Sequence, residues 1–235
     1  MTVRTDYSNT AEPGGGRDAA KFYSIDALEH AQKINEFDAQ LAGYTSPPTS
    51  GWSWYNQGSA SVATDHGHQV LTLPSDGSLN LRGRVRSLSP TSNYTAEFRL
   101  DAIYPTVTTS AIYWWVGLIL VDSGSGKTIL FGVGDISSAS AAVVIPVAQW
   151  PASSGAGAST VSSAAFAAPL PQWWRIRDDG TTRYYEYSYN RFDWVTSYSE
   201  GRTTYITPNQ IGFAAFNVAT SQNLVLRLRS LSGIA

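Results

Sequence analysis

The sequence predicts a mostly-β chain: an antiparallel sandwich or barrel, with a short helical arm in front of it. Three observations carry that expectation. From Gly51 onward, apolar and polar residues alternate with period two in about ten to twelve segments separated by turn residues. No helical pattern intervenes between those segments, and parallel strands would need crossover helices. The composition agrees: 29 Ser, 21 Thr, 13 Tyr and 8 Trp stand in 235 residues, while only 14% are charged, against about 25% in an average domain.

The elements follow in chain order. Glu12-Pro13-Gly14-Gly15-Gly16 marks an irregular start. Asp26 with Glu29 three positions later reads as a capping box for a helix over about residues 25–42. Its apolar stripe is Ile25, Leu28, Ile34, Phe37 and Leu41, and Gly43 supplies the stop. One such helix is marginal alone, so the stripe must pack on the β-domain, on a copy of itself, or on another protein. Ser46-Pro47-Pro48-Thr49-Ser50-Gly51 closes the arm, residues 1–50, and opens the β-domain, residues 51–235. Charge density changes there, from 11 charged residues in the first 45 to 23 in the next 190. Strands are expected over 79–88, 94–103, 112–121, 128–133 and 141–147, with a small-residue loop at 151–168. Segments 173–177 and 183–189 flank Asp178-Asp179-Gly180-Thr181, a hairpin turn. Segments 194–198, 210–216 and 224–231 complete the set.

Several function classes are excluded by composition. With no Cys, neither a disulfide scaffold nor a thiolate metal site is available. A net charge of −2 gives no basic excess for nucleic acid. No run approaches 18 apolar residues, so no membrane span is expected. The first residues lack the apolar run of a secretory signal.

Candidate chemistry is sparse. Gly126-Lys127-Thr128 lacks the earlier Gly of a phosphate loop, with Val121 in its place, and continues as a strand. His66 and His68 are two ligands at most, where a metal needs three or four. Polysaccharide hydrolysis needs paired carboxylates. Glu97 and Asp101, with Arg99 between them, read as an ion pair, and Glu186 and Glu200 stand apart. Arg82, Arg84 and Arg86 share one strand face, as do Arg175 with Arg177 and Arg227 with Arg229. These read either as solvated faces or as contacts to a neighbouring subunit. In Trp114-Trp115 and Trp173-Trp174 one ring of each pair is expected in the core. Trp150, before Pro151, is read as a ring at a loop mouth that could stack on sugar.

Trp173-Trp-Arg-Ile-Arg-Asp-Asp-Gly-Thr-Thr-Arg-Tyr-Tyr-Glu-Tyr-Ser188, then Asp193-Trp194, then Pro208-Asn-Gln-Ile-Gly-Phe213, resembles the concanavalin A-like (legume lectin/glucanase) jelly-roll domains. The match covers about 45 residues. It departs at Asn190-Arg191-Phe192, where Asp-Gly is usual, and the glucanases' paired acids have no counterpart. The resemblance implies a jelly-roll sandwich; the candidate ligand contacts are Trp150, Tyr189 and Asp193. The whole chain also looks like a tailed-bacteriophage virion protein. That implies a non-enzymatic structural protein in which the arm docks on the particle and the sandwich is exposed. Expected partners are other virion proteins, further copies of the chain (a trimer through the arm helix) and host surface polysaccharide, with assembly in the bacterial cytoplasm. The alternatives are a carbohydrate-binding module and a glycan-degrading enzyme. No cofactor is expected, and calcium at Asp122, Asp135 or Asp178 has no motif behind it.

Overall fold

The strands of the computed structural model are, in chain order, β1 (Ser53–Tyr55), β2 (Ser61–Asp65), β3 (His68–Leu73), β4 (Arg82–Ser87), β5 (Tyr94–Ile103), β6 (Trp114–Val121) and β7 (Thr128–Asp135). They continue with β8 (Val143–Trp150), β9 (Ser159–Ala165), β10 (Trp173–Asp178), β11 (Thr182–Ser188), β12 (Val195–Gly201), β13 (Gln210–Asn217) and β14 (Leu224–Ser232). The structure describes residues 46–75, 77–89, 93–103, 114–135, 143–153, 158–165, 170–218 and 222–233, all within a compact unit spanning 44–235. The predicted arm helix, with Ile25, Leu28, Ile34, Phe37 and Leu41, lies outside the described residues.

Two seven-stranded antiparallel sheets form the sandwich. The first runs β1-β4-β13-β6-β7-β8-β9 and the second β12-β11-β10-β5-β14-β3-β2. Alternation decides what lies between them. Val116, Leu118 and Leu120 of β6 face Phe98, Trp174, Ile176, Leu226 and Leu228 of the second sheet in one core. Phe131 meets Trp174 and Tyr185 edge-on, with ring centroids 5.3 and 5.7 Å apart.

The centre of the first sheet is buried on both faces: β6 is buried at every position. Trp115, Ile119, Leu130, Ala148, Trp150, Ala214 and Phe216 form a second apolar cluster on its outer side. A row of small residues makes this possible. Gly83, Ala214, Gly117 and Gly132 lie side by side across β4, β13, β6 and β7. A Cβ at Gly117 would fall 2.1 Å from the Phe131 carbonyl oxygen, and one at Gly132 2.0 Å from that of Val116. The backbones occupy the space that side chains would need, so the sheet curls there. Trp150 and Phe216, three strands and six residues of register apart, consequently meet at 5.4 Å. The chain after β8 then crosses toward β4, where Leu81 N–H donates to the Ser153 carbonyl at 3.0 Å.

The structure alters three sequence expectations. Residues 151–168 are not one loop: β9 lies within them, paired to β8 despite its Ser/Ala composition. Arg82, Arg84 and Arg86 are not a solvated outer face, because they share the inner side of β4 with the core row Ile211, Phe213 and Ala215 of β13. There they bind the chain ahead of β2: Arg82 to Ser59, Arg84 to the Trp52 carbonyl and Arg86 to that of Ser50. Arg84 and Arg86 also stack on Trp54 and Trp52. Lastly, both rings of Trp114-Trp115 are buried, one in each cluster.

Candidate binding surface

The outer face of the second sheet is built from paired charges. Glu97 of β5, Arg175 of β10 and Glu186 of β11 stand directly opposite one another in three adjacent strands. Arg175 Nε donates to Glu186 Oε2 at 2.7 Å, and its Nη1 lies 3.9 Å from Glu97 Oε1. Arg177 and Thr196 complete the shell of Glu186 at 3.5 and 3.3 Å. The same arginines stack on rings, Arg175 on Trp194 at 4.0 Å and Arg177 on Tyr184 at 3.8 Å. Trp173, 4% exposed, has the guanidinium groups of Arg99 and Arg191 5.6 and 5.0 Å from its ring centroid. The ion pairing expected among Glu97, Arg99 and Asp101 is therefore redistributed. Glu97 binds Arg175 and Arg191, Asp101 binds Arg229, and Arg99 donates to Gln172. Glu97 and Glu186 are held by guanidinium groups, an arrangement suited to bracing a sheet.

Six residues, Tyr189 to Trp194, link β11 to β12. Ser188 Oγ accepts from the N–H groups of Asn190 and Arg191 at 3.2 and 2.8 Å. Asn190 Oδ1 accepts from those of Phe192 and Asp193, both at 2.9 Å. Asn190 Nδ2 in turn donates to Asp193 Oδ2 at 2.7 Å. Four consecutive backbone donors are thus satisfied inside the turn, by the side-chain chemistry that makes Ser and Asn turn formers. Tyr189, Phe192 and Val195 nevertheless stand out, 49%, 56% and 46% exposed. With Leu79 they are the exposed large hydrophobics among the described residues. Tyr187 buttresses Tyr189 edge-on at 6.0 Å.

The three sequence-predicted ligand residues separate. Tyr189 and Asp193 share this turn. Trp150 does not join them: it is 2% exposed, in the first sheet's outer cluster against Phe216, and presents no ring face to a sugar. Sequence reasoning missed Asn190, Phe192 and Val195. The Ser188-x-Asn190 spacing carried a turn signal, but nothing in the sequence marked Phe192 as exposed.

A second concentration of charge is buried at the other end of β10 and β11. Arg183, with no exposed side-chain surface, donates to Glu200 at 3.3 Å and sits 3.8 Å from Asp178. Tyr185 Oη donates to Glu200 at 2.7 Å, and Arg202 Nε lies 3.3 Å from Asp178. Burial pushes the Tyr94 phenol up to about 12, against the pull of Arg183, and sends that of Tyr185 well above its ordinary value. Asp178 is thus spoken for by arginines. Asp122 is half-buried at the head of a turn, where hydrogen bonds from Ser125, Gly124 and Thr207 lower its pKa. His66 sits in the β2–β3 turn at φ 48, bonded to Asp65. Among the described residues no three His, Asp or Glu side chains gather as metal ligands would.

No family model matches the sequence, and neither does any curated protein. The fold, by contrast, is shared with solved structures. A Saccharomyces cerevisiae protein described as functionally unknown superposes with a TM-score of 0.56 at 14% identity, over 79% of this chain and 96% of that one. The GH43 BlXynB protein of Bacillus licheniformis gives 0.54 at 15% identity, over 82% of this chain. The Bacteroides ovatus xyloglucan-locus protein GH43B gives 0.51 at 11% identity, over 81%. This chain spans 38% of the length of each GH43 protein. The likeness is one of fold, over the two-sheet antiparallel β-sandwich that the sequence predicted.

Proposed function

We propose that this chain is a non-enzymatic recognition protein of a bacteriophage-type particle, whose sandwich engages carbohydrate through the β11–β12 turn. One observation carries the reading: Tyr189 and Phe192 stand exposed on a turn whose backbone donors from Asn190 to Asp193 are already satisfied, and Val195 is exposed where β12 begins. An exposed tyrosine ring can stack on the apolar face of a sugar, while its hydroxyl and the neighbouring Asp193 carboxylate bond sugar hydroxyls. The arginine-bound state of Glu97 and Glu186 favours binding over hydrolysis. The particle context rests on the sequence organisation, in which a segment of ordinary charge density precedes a charge-poor β-domain.

An array of bacterial surface polysaccharides, followed by calorimetric titration and an assay for released reducing ends, tests this. Saturable binding without release is expected. Release of sugar by the wild-type chain, reduced by Glu97→Gln or Glu186→Gln, would replace the proposal with an enzyme.

A further inference from the structure

Arg191 is a non-glycine residue at φ 72, a left-handed conformation that Asn and Gly adopt far more readily. It occupies the middle of the exposed turn. Its side chain does not point to solvent. The Nε donates to Glu97 Oε2 at 3.2 Å, 94 residues away in the chain, and the guanidinium lies 5.0 Å from the Trp173 ring. Glu97 is in turn tied to Arg175, and the Arg99 guanidinium also lies 5.6 Å from the Trp173 ring centroid. Backbone strain persists only where the surroundings over-determine it. Here the over-determining contacts belong to the strained residue itself and reach two strands, β5 and β10, that do not form the turn.

We infer that Arg191 is the positioning residue of this surface. Its anchored side chain holds the turn in one conformation, so that Tyr189 and Asp193 face a ligand together. The inference rests on the reading of the turn as the recognition surface, and it adds that the surface is preformed. A turn ordered before contact loses less freedom on binding. Phe192 follows Arg191 directly, so its exposure is also set by this anchor.

The test needs no ligand, so its failure is distinct from a failure to bind carbohydrate. Amide hydrogen exchange is measured by mass spectrometry on wild type, Arg191→Gly and Arg191→Lys. Glycine removes both the strain and the anchor, whereas lysine keeps the charge near Glu97 and loses the planar stacking on Trp173. Exchange of amides 190–193 should rise at least tenfold in Arg191→Gly and by a smaller factor in Arg191→Lys, with β10 and β14 amides unchanged. If Arg191→Gly leaves turn exchange unaltered, the side chain anchors nothing and the inference fails. An equal rise in β10 and β14 overturns it too, since Arg191 would then support the sheet as a whole.

Discussion

Gly117→Ala separates local propensity from sheet geometry, because the two assign opposite signs. Glycine inside a strand costs about 0.5–1 kcal/mol relative to alanine, so propensity alone makes the variant more stable. The geometry reverses this. The new Cβ would lie 2.1 Å from the Phe131 carbonyl oxygen and 2.6 Å from Gly132 Cα, both backbone atoms of the adjacent central strand. Restoring ordinary contact needs about 1 Å of strand separation, which weakens one or two ladder hydrogen bonds worth about 1 kcal/mol each. It also flattens the curl that brings Trp150 onto Phe216, and overpacking of this kind costs about 1–3 kcal/mol. Together these predict a net loss of about 3 kcal/mol. Urea unfolding followed by tryptophan fluorescence measures it, with Gly124→Ala as the control. At Gly124 a Cβ would meet only Asp122 Oδ1, at 3.4 Å, and the change should stay within about 0.5 kcal/mol. If Gly117→Ala is as stable as wild type or more so, the glycine row does not set the curvature and the description of the first sheet is wrong.

Other expectations follow from the same contacts. Arg183→Met leaves the buried Glu200 carboxylate without its cation and removes one of two arginines from Asp178, and should cost about 3–5 kcal/mol, read from the urea midpoint. Trp150→Ala removes a buried ring and should cost about 3–5 kcal/mol in the same assay. The raised phenol of Tyr94 makes stability fall at high pH. Its contribution is complete below pH 10, where unfolded tyrosine keeps its proton, and is lost as pH rises through about 12. The loss should be on the order of 2 kcal/mol and should shrink in Tyr94→Phe, compared by urea unfolding at pH 8 and pH 11.5.

The strands rich in β-branched and aromatic residues were legible in the sequence. Tyr94–Ile103 was anticipated to the residue, and the Asp-Gly hairpin of β10 and β11 stands where its turn chemistry put it. Strands without that signature escaped notice. Ser159–Ala165 is a strand because β8 pairs with it, and β2 and β3 are short and joined through His66-Gly67 at positive φ. Burial was harder to foresee than pairing. Period two identifies two faces of β6 but does not say that both are covered, so Trp150 read as a loop ring and is instead packed on Phe216. Two of the three candidate ligand residues fall together for a related reason: Tyr189 and Asp193 are four positions apart, so a local turn suffices to unite them. The Arg191–Glu97 anchor spans 94 residues and had no sequence signal beyond an arginine where Asp-Gly was expected.

Calorimetric titration of the full chain with its best-bound array oligosaccharide, repeated with Tyr189→Ala, tests whether the β11–β12 turn binds carbohydrate. Saturable wild-type binding, weakened at least tenfold by Tyr189→Ala with the urea midpoint unchanged, is the expected result. No saturable binding to any glycan, or binding indifferent to Tyr189→Ala, would contradict it.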